Sequence, residues 1–263
     1  INTAATTICA GANVSFTATP VNGGATPSYQ WKLNGNNVGS NSSTYNTAGL
    51  ANNDSVWCVI TSGSTCASPN TANSNVMKFT VNPVVTPSVS ITASNNNICT
   101  GVNVLFTATG TNGGSSPTYQ WKINGTNVGT NATTYSNNTL ANGDIITCVL
   151  TSNATCFTAA NATSNAITMT VTAPTVPTIS INTTTNNICS GVPVTFNSNI
   201  TNGGGSPTYQ WKINGTNVTG ATAASFVSST LNNADAVSCV LTSSALCASP
   251  ASASSNTINM IVN

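Results

Sequence analysis

The pattern Tyr-Gln-Trp-Lys-(Leu/Ile)-Asn-Gly occurs at Tyr29–Gly35, Tyr119–Gly125 and Tyr209–Gly215, each copy 90 residues after the one before. A fixed period of this kind means one unit copied three times. The period is too long for a helical solenoid, whose repeats run to about 20–50 residues. It suits a small domain that carries its own core. The chain therefore divides into three repeats, 1–84, 85–174 and 175–263.

Inside each repeat the apolar residues alternate with polar ones. Val14, Phe16 and Ala18 form one such set, and Tyr29, Trp31 and Leu33 a second, broken by Gln30 and Lys32. Val56, Cys58 and Ile60 form a third, and Met77, Phe79 and Val81 a fourth, repeated as Ile167/Met169/Val171 and Ile258/Met260/Val262. A period of two places successive side chains on opposite faces, so these are strands with one face on a core. Trp31, Trp121 and Trp211 then point inward and the following Lys32, Lys122 and Lys212 outward. Asn34-Gly35 directly after the Trp strand predicts a type I′ hairpin, because both central positions need a positive φ. About seven short strands per repeat, with turn signals between them, predict a β-sandwich.

Composition narrows the function. Four lysines, three aspartates and no histidine are the whole charged inventory, so the chain has no Arg and no Glu. Acid–base catalysis draws on His or on paired carboxylates, and one Asp per repeat makes no pair. Hard-cation sites need several clustered oxygen ligands, and phosphate-backbone binding needs clustered basic residues. We expect no enzyme, no cofactor, no metal and no nucleic-acid partner. No apolar run is long enough to cross a membrane as a helix. A net charge of +1 on a surface rich in Ser, Thr and Asn leaves little repulsion between copies, which favours association.

The nine cysteines fall three to a repeat: Cys9, Cys58, Cys66; Cys99, Cys148, Cys156; Cys189, Cys239, Cys247. No CxxC pair is present, so disulfides in an oxidising, extracellular setting are the reading. Asp54, Asp144 and Asp235 precede the third strand set, where an Asp closes a turn with its own side chain.

Gly11, Trp31 and Cys58 stand where an immunoglobulin fold places a Gly at its first turn, a Trp on strand C and an inward Cys on strand F. With Ile-Cys-x-Gly-x-x-Val-x-Phe before Tyr-Gln-Trp-Lys and a late Cys-Val-(Ile/Leu)-Thr-Ser, each repeat resembles the Ig-like or PKD-like repeats of large Bacteroidota surface proteins. Many of those are adhesins exported by the type IX route. The resemblance implies an all-β chain of three tandem immunoglobulin-like β-sandwich domains in an extended rod. Two prolines in each of the linkers Asn82–Pro87 and Thr172–Pro177 favour extended, semi-rigid geometry.

The same resemblance bears on the cysteines. The strand-B partner of Cys58 is replaced by Ala18, and its counterparts are Ala108 and Ser198, so Cys58, Cys148 and Cys239 become buried thiols. Cys9 would lie at the C-terminal pole of its sandwich and Cys66 at the N-terminal pole. Bridges between modules, Cys9 to Cys156 and Cys99 to Cys247, would leave Cys66 and Cys189 for neighbours outside the segment. Cys9–Cys66 within a module, free thiols and Cys58–Cys66 remain alternatives. Ile1 aligns with Ile91 and Ile181 in mid-pattern, which suggests three repeats of a longer array.

Trp57 alternates with Val56 and Cys58 and so faces outward, where the other repeats have Thr147 and Ser238. It can pack on its own sheet, or stack on a sugar. The function expected is a non-catalytic extracellular and cell-surface segment: a stalk, adhesin or self-assembling filament. Its partners would be copies of itself, neighbouring repeats or surface glycans. A carbohydrate-binding module array is the alternative.

Overall fold

The computed structural model describes residues 1–263 and contains strands, turns and no helix. The second repeat is the clearest instance of the plan. One sheet is formed by Ser88–Ala93, Val104–Thr111 and Thr134–Asn137 in that order. The facing sheet runs Thr126–Val128, Thr118–Ile123, Ile145–Thr151 and then Asn161–Thr163, with Ile167–Thr168 also paired to Ile145–Thr151. A short parallel pair, Asn97–Cys99 with Thr170–Thr172, closes the side of the sandwich. This is the immunoglobulin arrangement; the third repeat reproduces it, and the first does so except that its smaller sheet is the pair Val14–Thr17 and Thr44–Thr47, with a single Asn2–Thr17 bridge at the outer strand's place. The protein is thus all-β, with three tandem immunoglobulin-like sandwiches.

The alternation read from sequence explains the core. Val104, Phe106 and Ala108 project from one sheet, and Trp121, Ile146, Cys148 and Leu150 from the other, into a single buried cluster. Trp121 is fully buried and pairs directly with Cys148 across the strands. Its indole N–H donates to the Ala132 carbonyl at 2.9 Å, which removes the cost of burying a polar atom. Trp31 and Trp211 make the same bond to Ser42 and Ala223.

Two details differ from the expectation. The fourth apolar set is not one strand. Met77–Lys78 pairs antiparallel with Ser55–Thr61, while Thr80–Asn82 pairs parallel with Thr7–Cys9. Between them the Phe79 amide donates to the Asp54 carbonyl and the Asn53 amide to the Phe79 carbonyl, so the chain changes sheets while Phe79 stays in the core. Each repeat also breaks into more and shorter strands than seven, because the first and last strands both divide in this way.

The hairpin turn matches its expected type. Asn124 and Gly125 have φ of 50° and 81°. The Asn has a second role that spacing alone did not reveal. Its side chain donates to Asp144 Oδ1 at 2.8 Å and accepts from the Ile145 amide at 2.9 Å. Asp144 Oδ2 meanwhile accepts from the Ala141 amide at 2.9 Å, which closes the turn as expected. The hairpin tip and the next turn are thereby locked together, and Asn34–Asp54 and Asn214–Asp235 repeat the lock.

Candidate functional site

Four of the nine cysteines meet at the two places where one module joins the next. Cys9 ends strand Thr7–Cys9, and its register partner in the last strand of the module is Asn82. The chain leaves the first module at Asn82, so Cys9 stands beside the exit. It is disulfide-bonded to Cys156 of the second module, with the two Cα atoms 5.5 Å apart. On the far side of the junction the Cys156 carbonyl accepts from the Val85 amide at 3.0 Å. Linker and disulfide therefore leave side by side and arrive side by side.

The second junction repeats the first. Cys99 pairs in register with Thr172, Cys99 and Cys247 are bonded at a Cα separation of 5.6 Å, and the Thr175 amide donates to the Cys247 carbonyl at 2.9 Å. Each disulfide joins residues 147 or 148 positions apart and belongs to two different sandwiches. Cys66 and Cys189 occupy the equivalent positions at the outer poles of the first and third modules, and both are exposed thiols.

Each linker is also held by residues that sequence reading passed over. Thr158 donates its amide to the Val85 carbonyl, and the Asn112 side chain donates to the Thr86 carbonyl at 3.0 Å. In the third module Ser249 and Asn202 bond Thr175 and Val176 in the same way. Recurrence of Asn112 and Asn202 in the Asn-Gly-Gly loops was the available signal. It marked a turn and hid a second use of the side chain.

The remaining cysteines, Cys58, Cys148 and Cys239, are buried free thiols. Burial pushes the Cys148 and Cys239 thiols up to about 11, against a smaller downward pull from hydrogen bonding at the Gln120 and Gln210 backbone. Cys58 is raised by the same desolvation. A thiol held protonated in an apolar core is a poor nucleophile. Trp57 lies opposite Lys32 in the sheet, on the face away from Cys58, and is half-buried. No cluster of three or more His, Cys, Asp or Glu side chains is placed to hold a metal ion, and no helix is long and apolar enough to cross a membrane.

No protein-family model matches the chain. In an alignment of 224 positions that covers 79% of this chain, it is 31% identical to the highly immunogenic outer capsid protein of Enterobacteria phage T4, and it spans 58% of that protein. Among solved structures, the three N-terminal domains of the bacteriophage RB49 highly immunogenic outer capsid protein align with 97% of this chain and 96% of that one, at 13% identity and a TM-score of 0.40. The mouse nectin-like molecule 4 ectodomain aligns with 97% of this chain and 96% of its own at 11% identity and a TM-score of 0.39. The chain is a tandem array of immunoglobulin-like modules. Its distinctive chemistry lies in the joints between them.

Proposed function

We propose that the chain is a non-catalytic structural and adhesive array that works outside the cell, at a surface. The observation that carries this reading is the paired joint, in which linker and disulfide cross side by side at both module boundaries. Two tethers attached at neighbouring points resist bending and twisting far better than one. A disulfide persists in an oxidising compartment, which supports the extracellular placement. The phage relative is named as an outer capsid protein, which accords with a surface role. Module boundaries at 84/85 and 174/175 fit the first linker contacts, at Val85 and Thr175. Origin in a Bacteroidota surface protein exported by the type IX route belongs to the same proposal and rests on the repeat wording alone.

Partners in this reading are further repeats, other copies, or surfaces met through uncharged hydroxyl and amide groups. With so few charges, such contacts should vary little with salt. Non-reducing peptide mapping of the native protein tests the joint. Recovery of Cys9–Cys156 and Cys99–Cys247 peptides supports it, whereas a Cys9–Cys66 peptide rejects it. The carbohydrate-binding alternative rests on Trp57. Saturable glycan binding that disappears in Trp57→Ala would favour that reading over the structural one.

A further inference from the structure

The order in which the two bridges take their cysteines gives the array a second covalent connectivity. Each bridge joins the first cysteine of one module to the last-placed cysteine of its neighbour, Cys9 to Cys156 in the second module and Cys99 to Cys247 in the third. The loops they close, 9–156 and 99–247, overlap across the second module. Two covalent routes along the array follow. One runs from Cys66 along the chain to Cys99, crosses to Cys247 and continues toward Asn263. The other comes through Cys9, crosses to Cys156 and continues along the chain to Cys189. At the first joint the former crosses as peptide and the latter as sulfur. At the second joint they exchange roles.

The strands on these routes all point the same way. The first route takes the late strands of the first module, Thr71–Asn73, Met77–Lys78 and Thr80–Asn82, and then the early strands of the second, Ser88–Ala93 and Asn97–Cys99. Beyond its bridge it takes Ser252–Ser254, Ile258–Asn259 and Ile261–Val262. In each module the two routes lie together as a parallel pair: Thr7–Cys9 with Thr80–Asn82, Asn97–Cys99 with Thr170–Thr172, and Asn187–Ile188 with Ile261–Val262. They also touch in parallel at the joints, Val85 with Phe157 and Thr175 with Ala248. Every parallel pairing in the molecule joins one route to the other.

The remaining segments, 10–65, 100–155 and 190–246, hang between the two routes and supply most of each core. In the second module they include Phe106, Trp121, Ile146, Cys148 and Leu150. The routes themselves are short and already drawn out. Cys66 and Cys99 are 33 positions apart, and that run traverses two modules, where the chain by itself uses 90 per module. A strand rises about 3.3 Å per residue and a fully extended chain spans at most about 3.6 Å. The stretches that run as strands therefore have about a tenth of their length left to give.

We propose that the array is a tension member with two covalent cables, in which pull runs through the bridged strands and bypasses the sandwich bodies. A pull along the array loads both cables in one direction, so their parallel pairs move together instead of shearing. The segments between the cables carry no covalent load, and the cores need not resist it. Lengthening by serial unfolding, open to a string of unbridged domains, is closed off. The function so assigned is to hold a fixed length under pull. It rests on the reading of the chain as a bridged structural array.

The test pulls one cable by its own ends. One DNA handle is attached to the exposed Cys66 thiol, with Cys189→Ser so that no other exposed thiol reacts, and a second to a peptide tag joined after Asn263. The covalent path is 33 positions to Cys99 and 16 from Cys247 to Asn263, so extension should stop at about 180 Å. Adding Cys99→Ser/Cys247→Ser leaves a shortest path of 57 positions back to Cys9 and 107 from Cys156 to Asn263. That variant should lengthen in steps toward about 590 Å. A fluorescent maleimide present during the pull reads the load on the bodies through the buried thiols Cys58, Cys148 and Cys239. At a force that unfolds the variant, these thiols should react at least tenfold more slowly in the bridged chain. Equal reactivity in the two, or a bridged chain that lengthens as far as the variant, would overturn the proposal. Peptide mapping of the same sample separates the readings. Absent bridges defeat the joint and the cables together, while intact bridges with reactive buried thiols defeat the cables alone.

Discussion

Cys58, Cys148 and Cys239 show how position decides what one side chain can do. Each is a cysteine in the middle of a strand, directly opposite the core Trp in register, and each lacks a partner because the facing strand offers Ala18, Ala108 or Ser198. The thiol therefore packs as a small apolar group. Its raised pKa has a consequence for stability. Between pH 9 and about 11 an unfolded Cys148 has lost its proton while the folded one keeps it, so the folded state holds more protons. Stability must then fall as pH rises through that window and be fully present below it. Urea midpoints measured from pH 8 to 11 should drop above pH 9. In Cys148→Ala the drop should be smaller. At pH 8 a maleimide should label Cys66 and Cys189 within minutes and leave the three buried thiols intact.

Among the strands and turns, the lock between hairpin tip and following turn matters most. Asp144 accepts two hydrogen bonds, from Asn124 and from the Ala141 amide, and so ties the turn before Ile145–Thr151 to the end of Thr118–Ile123. Hydrogen bonds to a charged group are the stronger kind, but this carboxylate is only half-buried and partly solvated. Asp144→Ala should destabilise the second module by about 1–2 kcal/mol. Asp144→Asn, which keeps an acceptor, should lose less. Hydrogen exchange at the amides of Ile145–Thr151 reads the difference. The Asn-Gly turn and the strands on either side of it could be read from residue type and spacing. The lock could not, because its partners lie 20 positions apart and meet only once the sheet has formed.

In the whole molecule, two struts cross each joint, one of peptide and one of sulfur. Opening the sulfur strut should loosen the joint and leave the sandwiches standing, since no disulfide lies within a module. The double variant Cys99→Ser/Cys247→Ser should keep the urea midpoint of the intact protein within error, while small-angle scattering shows a broader distribution of end-to-end distances. A collapse of module stability in that variant would mean that the bridge supports the core rather than the joint.

The sequence by itself determined the repeat, the strand alternation, the inward Trp, the hairpin type and the sandwich. Each of these follows from residues close together in the chain, where backbone geometry and side-chain direction leave few options. Tertiary structure decided which cysteines meet and which side chains grip the linkers. Those depend on which pole of one sandwich faces the next and on which register a distant strand adopts. Cys9 and Cys156 are 147 positions apart. Only the stacking of two folded modules brings their Cα atoms within 5.5 Å of each other.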